Sequence, residues 1–218
     1  MKYALIDGKK SEPNPRKKGI CSFCGSQVIA KCGKYKIWHW AHKSTKDCDS
    51  WWEIETDWHR NWKNHFPIEY QEVIHIDEKT GERHIADVKT QNNMVIEFQN
   101  SNIHLNEIAS RESFYKKMIW IINGNRSDTL DHANFNISLN TGYTIESKNP
   151  LIIKLTWYST SKIFEKWSES RMPVFFDFSR EEIFWLKSFD KKSKEVIVRI
   201  VSKNEIIEKN GGFYENVK

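Results

Sequence analysis

Two acidic residues on neighbouring predicted strands have the side chains and the spacing of a divalent metal site. Asp87 belongs to an alternating segment at 84–89, whereas Glu97 and Gln99 belong to a second segment at 94–99. A three-residue turn between the segments would put Asp87 opposite Glu97, and Gln99 would share the face of Glu97. Mg²⁺ and Mn²⁺ prefer carboxylate oxygens, so the hairpin predicts that Asp87 and Glu97 bind one of these ions.

The four cysteines lie between positions 21 and 48 and indicate a second kind of metal site. Cys21 and Cys24 form a CxxC pair followed by glycine, a turn that lets two thiolates reach one zinc ion. We therefore expect a structural Zn²⁺ in the amino-terminal segment. A short basic segment buries too little surface to fold unaided, which favours zinc over the alternative of small buried thiols and core histidines.

The second pair of zinc ligands must come from the residues that follow the CxxC pair. A closed zinc site takes four ligands, so at most two more residues can join it. His39 and His42 are three apart and would point to opposite faces of a strand. We favour His42 with Cys48, keep His39 as the main competitor, and expect Cys32 to lie outside the site.

Basic residues are concentrated at the amino-terminal end of the chain. Residues 1–46 carry eleven lysines and arginines against two acidic residues, whereas the remaining chain carries 23 basic against 27 acidic residues. Lysine and arginine bind phosphates without reading sequence, and such binding weakens with salt. We expect Arg16, Lys17 and Lys18 to contact nucleic acid; a solvated surface with no partner is the alternative.

The segment Asp49 to Phe66 predicts a helix that ends at Pro67. One stripe of this helix is apolar, and on another stripe Glu55, His59 and Lys63 recur at four-residue steps. These three residues alone would indicate a solvated face with one ion pair. Together with the acids of the hairpin, they predict a stripe that faces the metal site, with Lys63 at the nucleic acid.

The remaining elements follow in α/β order. We expect a strand at 68–76, the two strands of the hairpin, a helix at 105–117 and an apolar central strand at 118–122. Residues 125–149 are polar and predict an irregular connector. Beyond it, we expect a strand at 151–157, a short helix at 163–168, and strands at 173–178, 183–186 and 196–201.

Several motifs together resemble the PD-(D/E)xK nuclease core, and in particular its competence protein CoiA-like branch. The motifs are CSFC at 21–24, WHWAH at 38–42, ETDWH at 55–59, ADV at 86–88 and IEFQNS at 96–101. Arg111 and Tyr115, followed by MIWII, complete the pattern, and the resemblance runs from Cys21 to Asn123. An HxxH pair after the CxxC pair would also satisfy the resemblance, which is why His39 stays a candidate ligand.

The resemblance implies an α/β (α+β) fold built on a PD-(D/E)xK core of αβββαβ order. An amino-terminal zinc-binding module at 1–50 would precede the core at 51–125, and a β-rich extension at 126–218 would complete it. Asp87 and Glu97 would bind the catalytic Mg²⁺ or Mn²⁺, and Glu55 would support the metal or its water. The motif's lysine position is occupied by Gln99, a neutral amide that can orient water but cannot accept its proton.

These features predict a metal-dependent nuclease that hydrolyses phosphodiester bonds, most simply in DNA. Glu55 and Gln99 would orient the attacking water, His59 would contact the phosphate or a metal ligand, and Arg111 and Tyr115 would touch nucleic acid. Arg111 is equally open to pairing with the carboxylates of the site or with a surface acid. The alternatives are a non-catalytic DNA-processing factor that binds nucleic acid and keeps the nuclease fold, and a zinc-dependent interaction module.

Composition sets the broad class of the protein. Apolar residues make up 39% of the 218 residues, which is enough for a core, and the sequence has no apolar run of 18 residues or signal-peptide pattern. We therefore expect a soluble cytoplasmic protein without a membrane partner. The oligomeric state stays open, a homodimer included.

Overall fold

The computed structural model describes residues 1–44, 46 and 48–214 as a mixed α/β fold. The chain divides into two compact units, Met1–Gln91 and Asn92–Lys218. The three-segment division expected from the sequence stays a prediction. None of the described helices has the length and apolar character needed to cross a membrane.

The first unit begins with an antiparallel sheet of five short strands in the order β2-β1-β3-β4-β5. The strands are β1 Ala4–Ile6, β2 Lys9–Ser11, β3 Lys18–Ile20, β4 Gln27–Lys31 and β5 His39–His42. Trp40 is fully buried against them. Gly19 is required for close packing, because a Cβ atom there would lie 2.8 Å from the Cβ of Ala4. This small sheet positions the cysteine-rich turn.

The first unit continues with helix α1 Asp57–Asn64, a 3-10 turn at Ile68–Tyr70, and the antiparallel strands β6 Gln71–Ile76 and β7 Arg83–Lys89. The expectation of a helix from Asp49 is therefore wrong, as is that of a strand from Ile68. The Asp49 carboxylate accepts the backbone N–H groups of Trp51 and Ile85, which holds this stretch outside the helix. Thr56 then caps α1 by accepting the N–H of His59.

Seven strands of the second unit follow the order β10-β11-β14-β13-β12-β9-β8. Strands β8, β9 and β12 run parallel, and the others pair antiparallel. Every residue of β8 and β9 is buried, as expected for parallel strands, which confirms the predicted apolar strand near 118–122. The strands are β8 Val95–Gln99, β9 Met118–Asn123, β10 Tyr143–Lys148, β11 Leu151–Thr156, β12 Val174–Asp177, β13 Glu182–Phe189 and β14 Glu195–Ser202.

The helices of the second unit are α2 Leu105–Tyr115, α3 Asp131–Thr141, α4 Ile163–Trp167 and α5 Lys203–Lys209. The expectation of an irregular connector at 125–149 is wrong, because this polar stretch forms α3 and β10. A few buried residues anchor α3: Phe135 is fully buried and stacks on Phe178 with ring centroids 4.0 Å apart. Polar Asp131 and Ser138 of α3 are also buried and Ile137 is exposed, so neither composition nor hydrophobic periodicity indicates this helix.

Candidate functional site

Four predicted zinc ligands lie close together in the first unit. The ligand atoms of Cys21, Cys24, His42 and Cys48 all lie within 4.8 Å of one another. The Sγ atoms of Cys21 and Cys48 are 3.8 Å apart, and Cys24 Sγ lies 3.4 Å from His42 Nε2. Zinc bonds of about 2.3 Å in a tetrahedron separate the ligand atoms by about 3.8 Å. The cluster therefore has a size that fits a metal ion such as zinc.

Local structure explains how the cysteines converge. The turn between β3 and β4 is closed by bonds from Cys21 N to Ser26 O and from Gly25 N to Cys21 O. Gly25 has φ +72°, a conformation that residues with a Cβ atom rarely adopt. Strand β4 pairs with β5 so that Val28 lies opposite His42, which brings the histidine to the end of the turn.

The two remaining candidates lie outside the cluster. His39 is three residues from His42 on β5, and its Nδ1 lies 2.9 Å from the carbonyl oxygen of Ile37. Strand geometry points the two histidines to opposite faces, so His42 alone reaches the cysteines. Cys32, which was expected to be a bystander, is also absent from the cluster.

The thiols of the cluster favour different protonation states when no cation is present. Burial and the nearby Cys21 raise the pKa of Cys48 to about 12, and burial also raises the pKa of Cys21. Burial works in the same direction on Cys24, but hydrogen bonds from Ser26 outweigh it and lower the pKa of that thiol. A bound cation would stabilise all three thiolates, so binding would release protons and depend on pH.

A network of buried charges surrounds Lys63 in the same unit. Its Nζ atom lies 2.8 Å from Glu55 Oε2, 3.0 Å from Glu72 Oε1 and 3.8 Å from Asp87 Oδ1. Burial opposes the charge on Lys63, but Glu72, Glu55 and Asp87 together raise its pKa above the usual value. The expected nucleic-acid contact is therefore not supported: Lys63 is 2% exposed and pairs with the acids instead.

Glu72 is a member of this network that the sequence did not single out. Its backbone has φ +47°, which is rare for a residue with a Cβ atom. Its carboxylate oxygens accept the backbone N–H groups of Lys2 and Tyr3 at 2.7 and 2.9 Å. Burial would raise the pKa of Glu72, but Lys63 and these N–H groups lower it to about 2. A glutamate in an alternating strand carries no signal for this role, because the role depends on the strained backbone.

Glu55 and His59 do not share a helical stripe, because Glu55 precedes the cap of α1. The Glu55 carboxylate is buried and lies 3.5 Å from Arg60 Nε in addition to its contact with Lys63. His59 Nδ1 lies 2.8 Å from Thr56 Oγ1, and its Nε2 lies 3.3 Å from Glu53. Both predicted site residues are thus anchored in protein contacts, and Glu53 is the acid that contacts His59.

In the second unit, a buried ion pair fixes the second predicted metal ligand. Arg111 Nη1 on α2 donates to Glu97 Oε2 on β8 at 3.0 Å, and both side chains are 5% exposed. Arg111 also donates from Nε to Glu107 at 3.1 Å. Burial would lower the pKa of Arg111, but the two carboxylates raise it. Of the roles considered for Arg111, two are observed together: pairing with the predicted site carboxylate Glu97 and an ion pair with the partly exposed Glu107.

Gln99 and Tyr115 are both buried. Gln99 Nε2 donates to the carbonyl oxygen and the hydroxyl of Ser101 at 3.2 and 3.3 Å, which fixes the amide orientation at the end of β8. Tyr115 is 3% exposed, so the expected contact with nucleic acid is not supported by its position. Arg16, Lys17 and Lys18, in contrast, are all exposed around the start of β3.

Comparison with known protein families gives two matches. Residues 9–50 match the amino-terminal domain of competence protein CoiA, and residues 82–172 match the nuclease-like domain of the same protein. Together the two matches cover more than half of the 218 residues. The chain belongs to the CoiA-like family. Neither a search of curated proteins nor one of solved structures found a match.

The two CoiA-like matches divide the candidate residues. All four residues of the cluster lie within the amino-terminal match, as do the exposed cations near β3. Asp87, Glu97, Gln99 and Arg111 lie within the nuclease-like match. Glu55, His59 and Lys63 fall between the matches, so their assignment rests on the network that surrounds them.

Proposed function

We propose that this CoiA-like protein is a metal-dependent nuclease that hydrolyses phosphodiester bonds in DNA. The observation that carries the proposal is the buried pair of Glu97 and Arg111, which holds a carboxylate on β8 within the nuclease-like region. The desolvation cost of a buried ion pair can offset its attraction, so the pair adds little net stability. This favours a role for the Glu97 carboxylate beyond stability. The succession α1, β6, β7, β8, α2 and β9 supports a PD-(D/E)xK core of αβββαβ order.

The residues fit a magnesium or manganese ion. Asp87 and Glu97 supply hard carboxylate oxygens, and Mg²⁺ commonly binds one or two carboxylates while water and substrate phosphates complete its shell. When bound, the ion would polarise the scissile phosphate and lower the pKa of an attacking water. The pairing of Asp87 with Glu97 rests on the sequence pattern of the hairpin and is part of the proposal.

The surrounding residues would position the carboxylates of Asp87 and Glu97. Arg111 would hold the Glu97 carboxylate in one orientation, and the Asp87 side chain, 26% exposed, would reach substrate with Lys63 behind it. Gln99 would orient a water through its amide. Glu55 is 2.8 Å from Lys63, so we now assign it to positioning the network, with His59 beside it, in place of direct contact with water.

The amino-terminal module would contribute to the binding of nucleic acid. Arg16, Lys17 and Lys18 are exposed and belong to the same segment as the Cys₃His cluster. A structural Zn²⁺ bound by Cys21, Cys24, His42 and Cys48 would hold that segment folded. A nucleic-acid substrate agrees with the cytoplasmic location expected from the sequence.

A second candidate function is binding without cleavage. The observation that favours it is Gln99, whose amide is engaged with Ser101 and cannot take a proton from water. In that case the protein would be a DNA-processing factor that keeps the nuclease fold. The intact acids at positions 87 and 97 favour catalysis over this alternative.

The two functions can be separated by a cleavage assay. Purified protein is incubated with plasmid, linear duplex, single-stranded DNA and RNA in Mg²⁺, Mn²⁺ or EDTA. We expect cleavage of DNA with a divalent ion, none in EDTA, and none for Asp87→Asn. Glu78→Gln, which neutralises an exposed acid in the same unit, is the control and should cleave as the wild type does.

Binding is measured on the same samples by a mobility shift. DNA that is bound but left uncut under every ion condition would contradict the nuclease proposal and support the non-catalytic one. Cleavage that is equal for Asp87→Asn and wild type would show that the activity comes from elsewhere.

A further inference from the structure

The loop that joins β4 to β5 exposes an aromatic ring between two cations. Tyr35 lies in the middle of this seven-residue loop, at 32–38, and is 99% exposed. Its neighbours Lys34 and Lys36 are exposed as well. Among the residues that the structure describes, none forms a hydrogen bond, an ion pair or a ring contact with these three side chains. The ring and both charges are therefore available to a partner.

The base of the loop is fixed, although its tip is exposed. Lys31 and His39 form the last register pair of β4 and β5. Trp38 Nε1 donates to the carbonyl oxygen of Gly33 at 3.2 Å, which closes the loop above that pair. The Trp38 carbonyl oxygen in turn accepts a hydrogen bond from Arg60 Nη2 at 2.9 Å. A loop held in this way loses less conformational freedom on binding than an unanchored one, which favours affinity.

The pairing of β3 with β4 places more cations at the same end of the small sheet. These strands are antiparallel, and Ala30 N donates to Lys17 O at 3.4 Å, so the exposed run Arg16–Lys18 lies beside the start of the loop. This run and the loop at 32–38 form the basic end of the small sheet. The Cys₃His cluster lies at the other end, where β3 turns into β4. The five residues of β4 separate the two ends by roughly 13 Å, so a metal in the cluster would leave the basic end open.

The charge of the basic end complements a polyanion. Residues 13–46 contain eight lysines and arginines and no aspartate or glutamate. Phosphates of a nucleic acid would neutralise such a surface, whether the strand is single or paired. The exposed ring adds a contact that phosphates cannot use, because an aromatic side chain stacks on the flat face of a base. In a duplex those faces are covered by neighbouring bases, so ring and cations together fit an unpaired strand.

We propose that the basic end of the small sheet binds single-stranded DNA, with an unpaired base stacked on Tyr35. Lys34, Lys36 and the run Arg16–Lys18 bind the adjoining phosphates. The amino-terminal module then holds an unpaired strand by stacking and by charge, whereas duplex DNA binds through its phosphates alone. The choice of DNA as the partner rests on the proposed nuclease function, but the stacking contact does not require cleavage.

Fluorescence anisotropy of a labelled thymidine octamer, titrated with the full-length protein without Mg²⁺ or Mn²⁺, tests the stacking contact. Loss of one base–aromatic stack weakens binding by about 5- to 150-fold, so we expect Tyr35→Ala to lose affinity by a factor in this range. Tyr35→Phe keeps the ring and should bind close to wild type. Tyr158→Ala, which removes a tyrosine that is 61% exposed in the second unit, is the control. Because the Tyr35 side chain is 99% exposed, its replacement should leave the fold intact.

Two further measurements separate stacking from charge. An abasic octamer has the backbone charge of the thymidine octamer but no bases, so Tyr35→Ala should bind it as tightly as wild type does. Each phosphate contact on a single strand contributes about 0.7 to the slope of log affinity against log salt. Changing Lys34→Gln and Lys36→Gln together should therefore flatten that slope by roughly 1.4 units, whereas Tyr35→Ala should leave it unchanged.

Equal affinities of wild type and Tyr35→Ala for the thymidine octamer would overturn the proposal. So would a loss of the same size for the abasic octamer or for a closed-circular duplex, because the tyrosine would then contact the backbone. Either result would leave the nuclease proposal to its own cleavage assay, since these titrations need no cleavage. Conversely, a Tyr35-dependent affinity for the thymidine octamer in a protein that cleaves no DNA would support the stacking contact and reject the nuclease.

Discussion

Replacing Lys63 with methionine should destabilise the protein strongly, because Lys63 is the cation at the centre of three carboxylates. Methionine keeps much of the length of the side chain and removes its charge. The nitrogen of Lys63 lies 2.8, 3.0 and 3.8 Å from oxygens of Glu55, Glu72 and Asp87. At an effective dielectric constant of about 20, each of these contacts has a gross attraction of roughly 4–6 kcal/mol.

The net effect is smaller than the gross attraction, since burying each ion costs several kcal/mol. Removing one partner of a buried pair typically costs about 3–5 kcal/mol, because it leaves a buried charge uncompensated. We expect Lys63→Met to lose free energy of unfolding in this range at pH 7. Lys34→Met, a change at an exposed lysine of the same unit, should stay within about 0.5 kcal/mol of wild type.

The difference between wild type and Lys63→Met should depend on pH. The pKa of Glu72 falls from 4.5 to about 2 in the folded protein, so its contribution is present above pH 4.5 and is lost as the pH falls toward 2. The pKa of Lys63 is raised above 10.5, so its contribution is lost only in more alkaline solution. The difference should be largest between about pH 5 and pH 10 and shrink in acid.

Urea denaturation followed by circular dichroism at pH 7 and pH 3 measures these quantities. Adding Glu72→Gln to Lys63→Met should recover part of the loss, because it removes one uncompensated carboxylate, whereas Glu72→Gln alone should destabilise. A Lys63→Met protein within about 1 kcal/mol of wild type at pH 7, or a loss that is equal at pH 3, would refute the account of the network.

Two further outcomes concern the amino-terminal module. Protein purified without chelator should contain about one zinc per chain; Cys24→Ser should lose it and Cys32→Ser should retain it by metal analysis, and equal zinc content in both variants would contradict the assigned ligands. Neutralising Arg16, Lys17 and Lys18 together should lower the slope of log affinity for duplex DNA against log salt by roughly 2 to 3 units. An unchanged slope would show that these three residues form a solvated surface and do not contact phosphates.

The sequence predicts best those features that depend on a short local pattern. The five consecutive apolar residues at 118–122 predict a strand that is covered on both faces, and β9 is buried along its whole length. The CxxC turn predicts a pair of thiols, and strand alternation separates His39 from His42 before the structure is known. The structure then brings the CxxC pair to His42 and Cys48.

Features that depend on distant contacts were not predictable. Lys63 belongs to an exposed stripe by helical periodicity, yet Glu72 and Asp87 come from other strands and enclose it. The role of Glu72 depends on its positive φ angle, which a glutamate in the sequence does not predict. Helix α3 depends on the stacking of Phe135 on Phe178, which is 43 positions away in the chain. In each case tertiary packing overrides the local pattern.

The central claim is that Glu97 takes part in phosphodiester cleavage and is more than a partner of Arg111. The most direct measurement compares DNA cleavage and DNA binding by Glu97→Gln with those of Glu107→Gln, a change at the more exposed acid that also pairs with Arg111. We expect Glu97→Gln to bind DNA as well as wild type or better and to cleave none in Mn²⁺, while Glu107→Gln still cleaves. Cleavage by Glu97→Gln at the wild-type rate would contradict the claim.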